Sequence, residues 1–358
     1  AQIQALYQNK TDTLVAEETN GGEVWYADVT PNDGYEDGTS ILSNNVTMAY
    51  IVADNVTINS TLLTNLSTEN LTVYYNLTNG STTGIINWKV NGNSSTILNM
   101  PFEGVNGTTS TNAWDYSGYG NNGSSINAIW NATGGRDGKG AYHFDGAGDY
   151  ISIPISPSIN ASRDQLTLSV WVKPDDFVDA WARIIVKEYP GNSNPWYHYG
   201  FVQESNTGII QFGIATGGAN TLTEVDTTHA ITAGEWVHLV GVYDGNLMKI
   251  YVNGILNATN RKTGGIGTSA TPLIIGADTE INDEYFDGTI DDVMIWDMAL
   301  SADQVLALYR NETDLISSNL THANDVWQAC VTPNDGTEDG NTICSNNITI
   351  ASLVGIDN

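Results

Sequence analysis

The side chains best equipped for chemistry in this chain are aromatic, sulfur-bearing and acidic. The string "NPWYHYGF" places Trp196, Tyr197, His198 and Tyr199 consecutively. On a strand two would point to each face, where they could stack on sugar rings or fill a core. Cys330 and Cys344 lie in "QACVTPNDGTEDGNTICS", two short strands about a turn centred near Thr337. The thiols then face each other across the ladder, where a disulfide is feasible; the alternative is two buried free thiols. Asp335, Glu338 and Asp339 of the same turn could gather an ion, but read as an acidic hairpin turn. The five histidines show no HExxH or other metal spacing. No G-x-S-x-G or P-loop occurs, and the glycines from Gly134 to Gly140 lack the strand and lysine context of a phosphate cradle.

Composition points outside the cell. Acidic side chains number 41 against 12 basic ones, a net charge of -29. Such a field disfavours nucleic acid and anionic lipid as partners. No apolar run approaches 18 residues, so no membrane insertion is expected. No signal peptide is visible, so the chain reads as a mature form or an excised part. Eleven Asn-x-Ser/Thr sequons crowd between Asn45 and Asn131: Asn45, Asn55, Asn59, Asn65, Asn70, Asn76, Asn79, Asn93, Asn106, Asn122 and Asn131. That clustering leads to the expectation of an N-glycosylated extracellular surface.

The end of the chain repeats its beginning. Shifted by 302 positions, residues 1–56 lie on 303–358 without a gap, with 27 of 56 pairs identical. "VWYADVTPNDGYEDGTSILSNNVT" at 24–47 falls on "VWQACVTPNDGTEDGNTICSNNIT" at 326–349. So long a period implies whole domains in tandem rather than a solenoid. The first copy carries Asp28 and Leu42 where the second has its cysteines, so a disulfide is an addition to the fold.

The elements between the copies read as strands. "LTLSVWVKP" alternates Leu166, Leu168, Val170 and Val172 with Thr167, Ser169, Trp171 and Lys173. Asp244-Gly245 and Asn253-Gly254 mark tight hairpin turns. One helix is expected in "LSADQVLALY", with Ser301 and Gln304 as a capping box and Leu300 and Val305 as a staple. The fold class is all-β, a sandwich or jelly roll.

"AYHFDGAGDYISIP", "GEWVHLVGVYDGNLMKIYVNG" and "FDGTIDDVMIWDMALSADQVLALY" resemble the LamG-like jelly rolls of the concanavalin A-like lectin/glucanase superfamily. The resemblance implies two antiparallel sheets, a concave face and a calcium ion, with Asp291 facing Asp145 and Asp149. It also implies what a glucanase would need: two glutamates and an aspartate on one strand. The nearest string, "EVDTTH", offers Glu224, Asp226 and His229 but no second glutamate, so no enzyme is expected. "ENLTVYYNL", "GIINWKVNG", "NDVWQACVTPNDG" and "TICSNNITI" resemble strands of an Ig-like sandwich around Trp88. The expected organisation is therefore 1–54 as the late half of a preceding Ig-like domain, 55–95 as early strands, 96–308 as an inserted jelly roll, and 309–358 as late strands.

These readings lead to an extracellular structural or adhesive cell-surface protein, archaeal, arrayed head to tail with copies of itself. The alternative is a calcium-dependent glycan-binding module.

Overall fold

A computed structural model describes residues 12–14, 19, 21–104, 112–177, 179–191, 193–217 and 221–352. The molecule is nearly all-β, as its alternating patterns require. Two eight-stranded sheets stack face to face to form the jelly roll. One contains Arg183–Glu188, Tyr197–Glu204, Ile209–Thr216 and Thr221–Asp226, all antiparallel neighbours. The other is centred on Leu166–Pro174 and Asp287–Trp296. Leu166, Leu168, Val170 and Val172 point into the core between the sheets, with Phe144, Phe201, Phe212 and Ile290. Trp171, on the opposite face, stacks on His238 and Tyr309, with the Arg136 guanidinium 4.2 Å from its ring. Both faces of this strand are thus covered, the outer one by the helix Ala302–Tyr309.

Ser301 caps that helix through the Gln304 amide. The capping box is only half formed, because the Gln304 side chain bonds the Leu315 carbonyl and the Ser317 amide instead. Leu300 and Val305 share one apolar cluster.

A second, smaller core is assembled from both sides of the jelly roll in sequence. Thr83–Val90 pairs antiparallel with Val326–Asn334, bringing Trp88 opposite Ala329 and Val90 opposite Trp327. Val52–Ser60 and Leu71–Thr78 form the facing sheet with Leu315–Ile316. Trp88 and Trp327 meet edge to face at 6.3 Å, among Ile58, Val73, Val331 and Ile350. Cys330 and Cys344 are paired directly across the ladder and bonded.

The first copy of the repeated hairpin keeps the register of the second. Val24↔Thr47 and Val29↔Ile41 match Val326↔Thr349 and Val331↔Ile343. Its strands shrink to two-residue pieces, since among the described residues no neighbouring strand lies alongside to hold 24–32 extended. Among the described residues no helix is long and apolar enough to cross a membrane.

Candidate functional site

A cavity of about 590 Å³ opens on the outer face of the first jelly-roll sheet, lined by Trp181, Arg183, Trp196, Tyr197, Glu224 and Glu284 among others. The sheet supplies the floor. Tyr197 lies flat across the neighbouring strand because position 213 is glycine; a Cβ there would come within 2.3 Å of its hydroxyl oxygen. The Tyr197 hydroxyl donates to Glu224 at 2.7 Å. Arg183 is buried, 5.2 Å over the Tyr197 ring, and ion-paired to Asp278 at 3.3 Å and Glu284 at 2.5 Å. Its Nε is buried without an acceptor. Burial raises the Glu224 carboxyl above its usual range. Burial also lifts Glu284 to about 7, outweighing the pull of Arg183.

Two loops supply the rim. Trp181 and Trp196 remain 43% and 44% exposed there. Both have left-handed backbones, φ +70° and +66°, which is strained for bulky side chains. The Gly191 amide donates to Glu280 at 2.9 Å, tying the loop before Trp196 to the one carrying Glu284. The pocket therefore pairs two accessible aromatic faces with a floor of fixed donors and acceptors, the makeup of a polar-ligand site.

The aromatic run departs from simple alternation, because the ladder shifts register between Lys187↔Tyr199 and Glu188↔Tyr197. Trp196 and Tyr197 reach the cavity. Tyr199 joins the main core. His198 is fully buried with both ring nitrogens unpartnered, and burial, with the nearby Lys187 charge, lowers it to about 4. Trp181, Arg183 and Glu284 were not singled out from sequence; they come from separate loops and strands that only the fold brings together.

The acidic triad is not brought together. Asp145 pairs with Asp287, so Asp291 lies four residues further along the strand, about 13 Å away. Asp149 accepts the Asp145 amide at 3.0 Å. Near this pair, His143, Asp175 and Asp287 have donor atoms within 4.8 Å of one another, His143 bonding Asp175 at 3.1 Å. Asp291 has other neighbours. Its carboxylate accepts the backbone amides of Arg136 and Asp292, at 3.0 and 2.8 Å. A Cβ built at Gly135 would lie 2.7 Å from both the Asp291 carboxylate and the Gly140 carbonyl, and 3.0 Å from the Lys139 carbonyl. Burial, then Asp292, drives Asp291 well above its ordinary value. Glu103 has one buried carboxyl oxygen without a partner and is lifted to about 8 by burial, then by Asp137 and Asp292. Glu103, Asp137 and Asp292 also line a cavity of about 290 Å³ between the jelly roll and the small sandwich. Carboxylates and main-chain carbonyls so placed suit a hard cation.

Of the sequon asparagines, Asn45, Asn55, Asn59, Asn76, Asn79, Asn93 and Asn131 are exposed, while Asn65, Asn70 and Asn122 are half-buried. Asn106 lies outside the described residues.

Residues 145–306 match the Laminin_G_3 family of the concanavalin A-like lectin/glucanase superfamily. The chain carries a LamG-type jelly-roll domain. Pappalysin-1 of Mus musculus is 28% identical over 180 residues, 47% of this chain and 11% of the relative. Pappalysin-1 of Homo sapiens is 27% identical over 179 residues, with the same coverage. The chain thus spans only about 11% of the length of these curated relatives. Among solved structures, the binding domain of Paraclostridial Mosquitocidal Protein 1 aligns with TM-score 0.48 and 18% identity, over 61% of this chain and 52% of that one. Domain 4 of AbnA, a GH43 extracellular arabinanase from Geobacillus stearothermophilus in complex with arabinotriose, gives TM-score 0.45 and 19% identity, over 60% and 98%.

Proposed function

We propose that this chain is an extracellular, N-glycosylated adhesive surface protein whose jelly roll binds glycan in the Trp181–Trp196 pocket. The observation that carries the reading is the pair of half-exposed tryptophans held in strained backbone over a floor of Arg183, Tyr197, Glu224 and Glu284. Aromatic faces stack on the C–H faces of a sugar ring, and the carboxylates, guanidinium and phenol hold its hydroxyls. The molecule's net charge of -29 disfavours acidic sugars, so the ligand class is a neutral glycan. The test is a screen of immobilised neutral and acidic glycans, followed by titration of the hits. Trp181→Ala and Trp196→Ala should each weaken a neutral hit about tenfold, roughly 1.4 kcal/mol. Binding that survives both substitutions would remove the pocket reading. Release of shortened glycan would replace binding by hydrolysis through Glu224 and Glu284.

A second reading is favoured by the internal repeat: the chain is one unit of a head-to-tail array on a cell surface, built through Ig-like half-domains. It is supported by one hairpin occurring twice, once buried in a core and once bare. Calcium belongs to the same proposal, at Asp291 and Glu103 with the main-chain carbonyls of Lys139 and Gly140. It would act as a structural clamp.

A further inference from the structure

The two copies of the hairpin differ in what covers them. Trp327, Val331 and Ile348 are 1%, 0% and 6% exposed; their counterparts Trp25, Val29 and Val46 are 37%, 62% and 53% exposed. What covers the second copy is the strand set 52–90, with Thr83–Val90 laid along Val326–Asn334. The first copy has the same register and the same apolar positions but no such neighbour among the described residues.

Its own chain cannot provide one. The strand set 52–90 is already closed by 326–350. The covalent connection also forbids an exchange within the chain. Strand Val52–Ser60 starts where Ile51 abuts Gly340, at one end of the small sandwich. The closing hairpin finishes at the other end, where the Ala351 amide bonds the Asn65 carbonyl. Residue 49, the counterpart of Ala351, would have to sit at that far end. Three residues further on, Val52 starts its strand at the near end, nine residues of strand or about 30 Å away. Three residues span about 10 Å at most. Another copy of this chain with its closing hairpin in place is equally full.

We infer that the bare hairpin 24–47 is completed in trans by a strand set of the 52–90 type that lacks its own closing hairpin, supplied by another repeat unit. This names the partner for the array reading and rests on it. Carried across the 302-residue period, the register puts Trp25 opposite the partner's Val90, Ala27 opposite the partner's Trp88 and Val29 opposite the partner's Ile86. The added strand pairs by main-chain hydrogen bonds, and alternate side chains fill the core, as in strand addition generally. The partner also removes an apolar open edge from solvent.

The test adds the missing strands to the intact chain. A second copy of residues 51–92 is joined ahead of Ala1 by a flexible Gly/Ser linker of about 20 residues. A control fusion carries Ile86→Asp in the added copy only. Hydrogen exchange at 24–29 and 41–47 should slow at least about tenfold in the first fusion and not in the second. Synthetic 51–92 mixed with the unmodified chain should give the same protection. Equal exchange in both fusions, with no protection by the free segment, overturns the inference. The size of the unmodified chain at rising concentration separates this from the array. Protection in a strictly monomeric chain upholds the strand partner and removes self-assembly. A filament whose hairpin stays unprotected upholds the array through another contact and removes this partner.

Discussion

His238 and His198 are buried in the jelly roll with nothing to stabilise a second ring proton. His238 has one ring nitrogen 2.9 Å from the Ser169 hydroxyl, and burial, with the Arg136 charge, lowers it to about 3. An unfolded histidine titrates near 6.5. A base with a lowered folded value favours folding above 6.5, and that contribution is lost as pH falls toward the folded value. Below pH 6.5 the unfolded chain takes up a proton that the folded His238 refuses. The stability advantage of the parent over His238→Gln should therefore shrink by about 1.4 kcal/mol per pH unit down to pH 4. Urea unfolding of both proteins from pH 7 to 4 measures it, and a constant difference would contradict the burial argument. At this scale the sequence was informative where chemistry is local. The facing cysteines could be read directly, whereas the run from Trp196 to Tyr199 could not be divided between core and surface. Asp291 was read as a calcium ligand facing Asp145 and Asp149, but the strand register sets it four residues from Asp145's partner Asp287, beside the Gly135 turn instead.

At the scale of the element, one sequence adopts two degrees of order. Val326–Asn334 is a nine-residue strand because Thr83–Val90 lies beside it. The same pattern at 24–32 keeps only short ladders. Strand formation here follows from packing, as β-propensity generally does. The two equivalent valines should therefore respond differently. Val331→Asp buries a charge in the small core and should cost more than about 3 kcal/mol. Val29→Asp, on the exposed copy, should stay within about 0.5 kcal/mol in the isolated chain. Denaturant unfolding of the two variants checks this; equal costs would show that the first hairpin is packed after all. The jelly-roll strands and the capped helix were legible because alternation and N-cap chemistry are local signals. The Gln304 side chain departed from its expected bond because the Leu315–Ile316 strand offered it two backbone partners, which no local rule contains.

At the scale of the molecule, the acid cluster joins two bodies. Glu103, Asp137 and Asp292 line the cavity between jelly roll and small sandwich, with Tyr75 and Asp314 on the sandwich side. Without a cation, Glu103 holds its proton up to about pH 8. A cation would displace that proton, so its affinity should rise with pH. Millimolar calcium should raise the melting temperature, more at pH 8 than at pH 6. Glu103→Gln should remove the difference, as scanning calorimetry would show; an equal rise in the variant would place the ion elsewhere. The 302-residue period showed that one hairpin occurs twice, whereas the juxtaposition that builds this cavity was not legible, since it needs residues 75, 103, 292 and 314 at one place. One feature of the small sandwich has a mechanical consequence. Its first strand starts at Ile51 and its closing hairpin ends at Ala351, at opposite ends of the same body. Tension applied at those two points runs along the strands, loading their hydrogen bonds together in shear instead of peeling them one by one. The jelly roll, connected at residues 95 and 309 between those points, hangs to the side of the load path. A tether of such units would bear force through its small domains while the jelly roll stays unstretched.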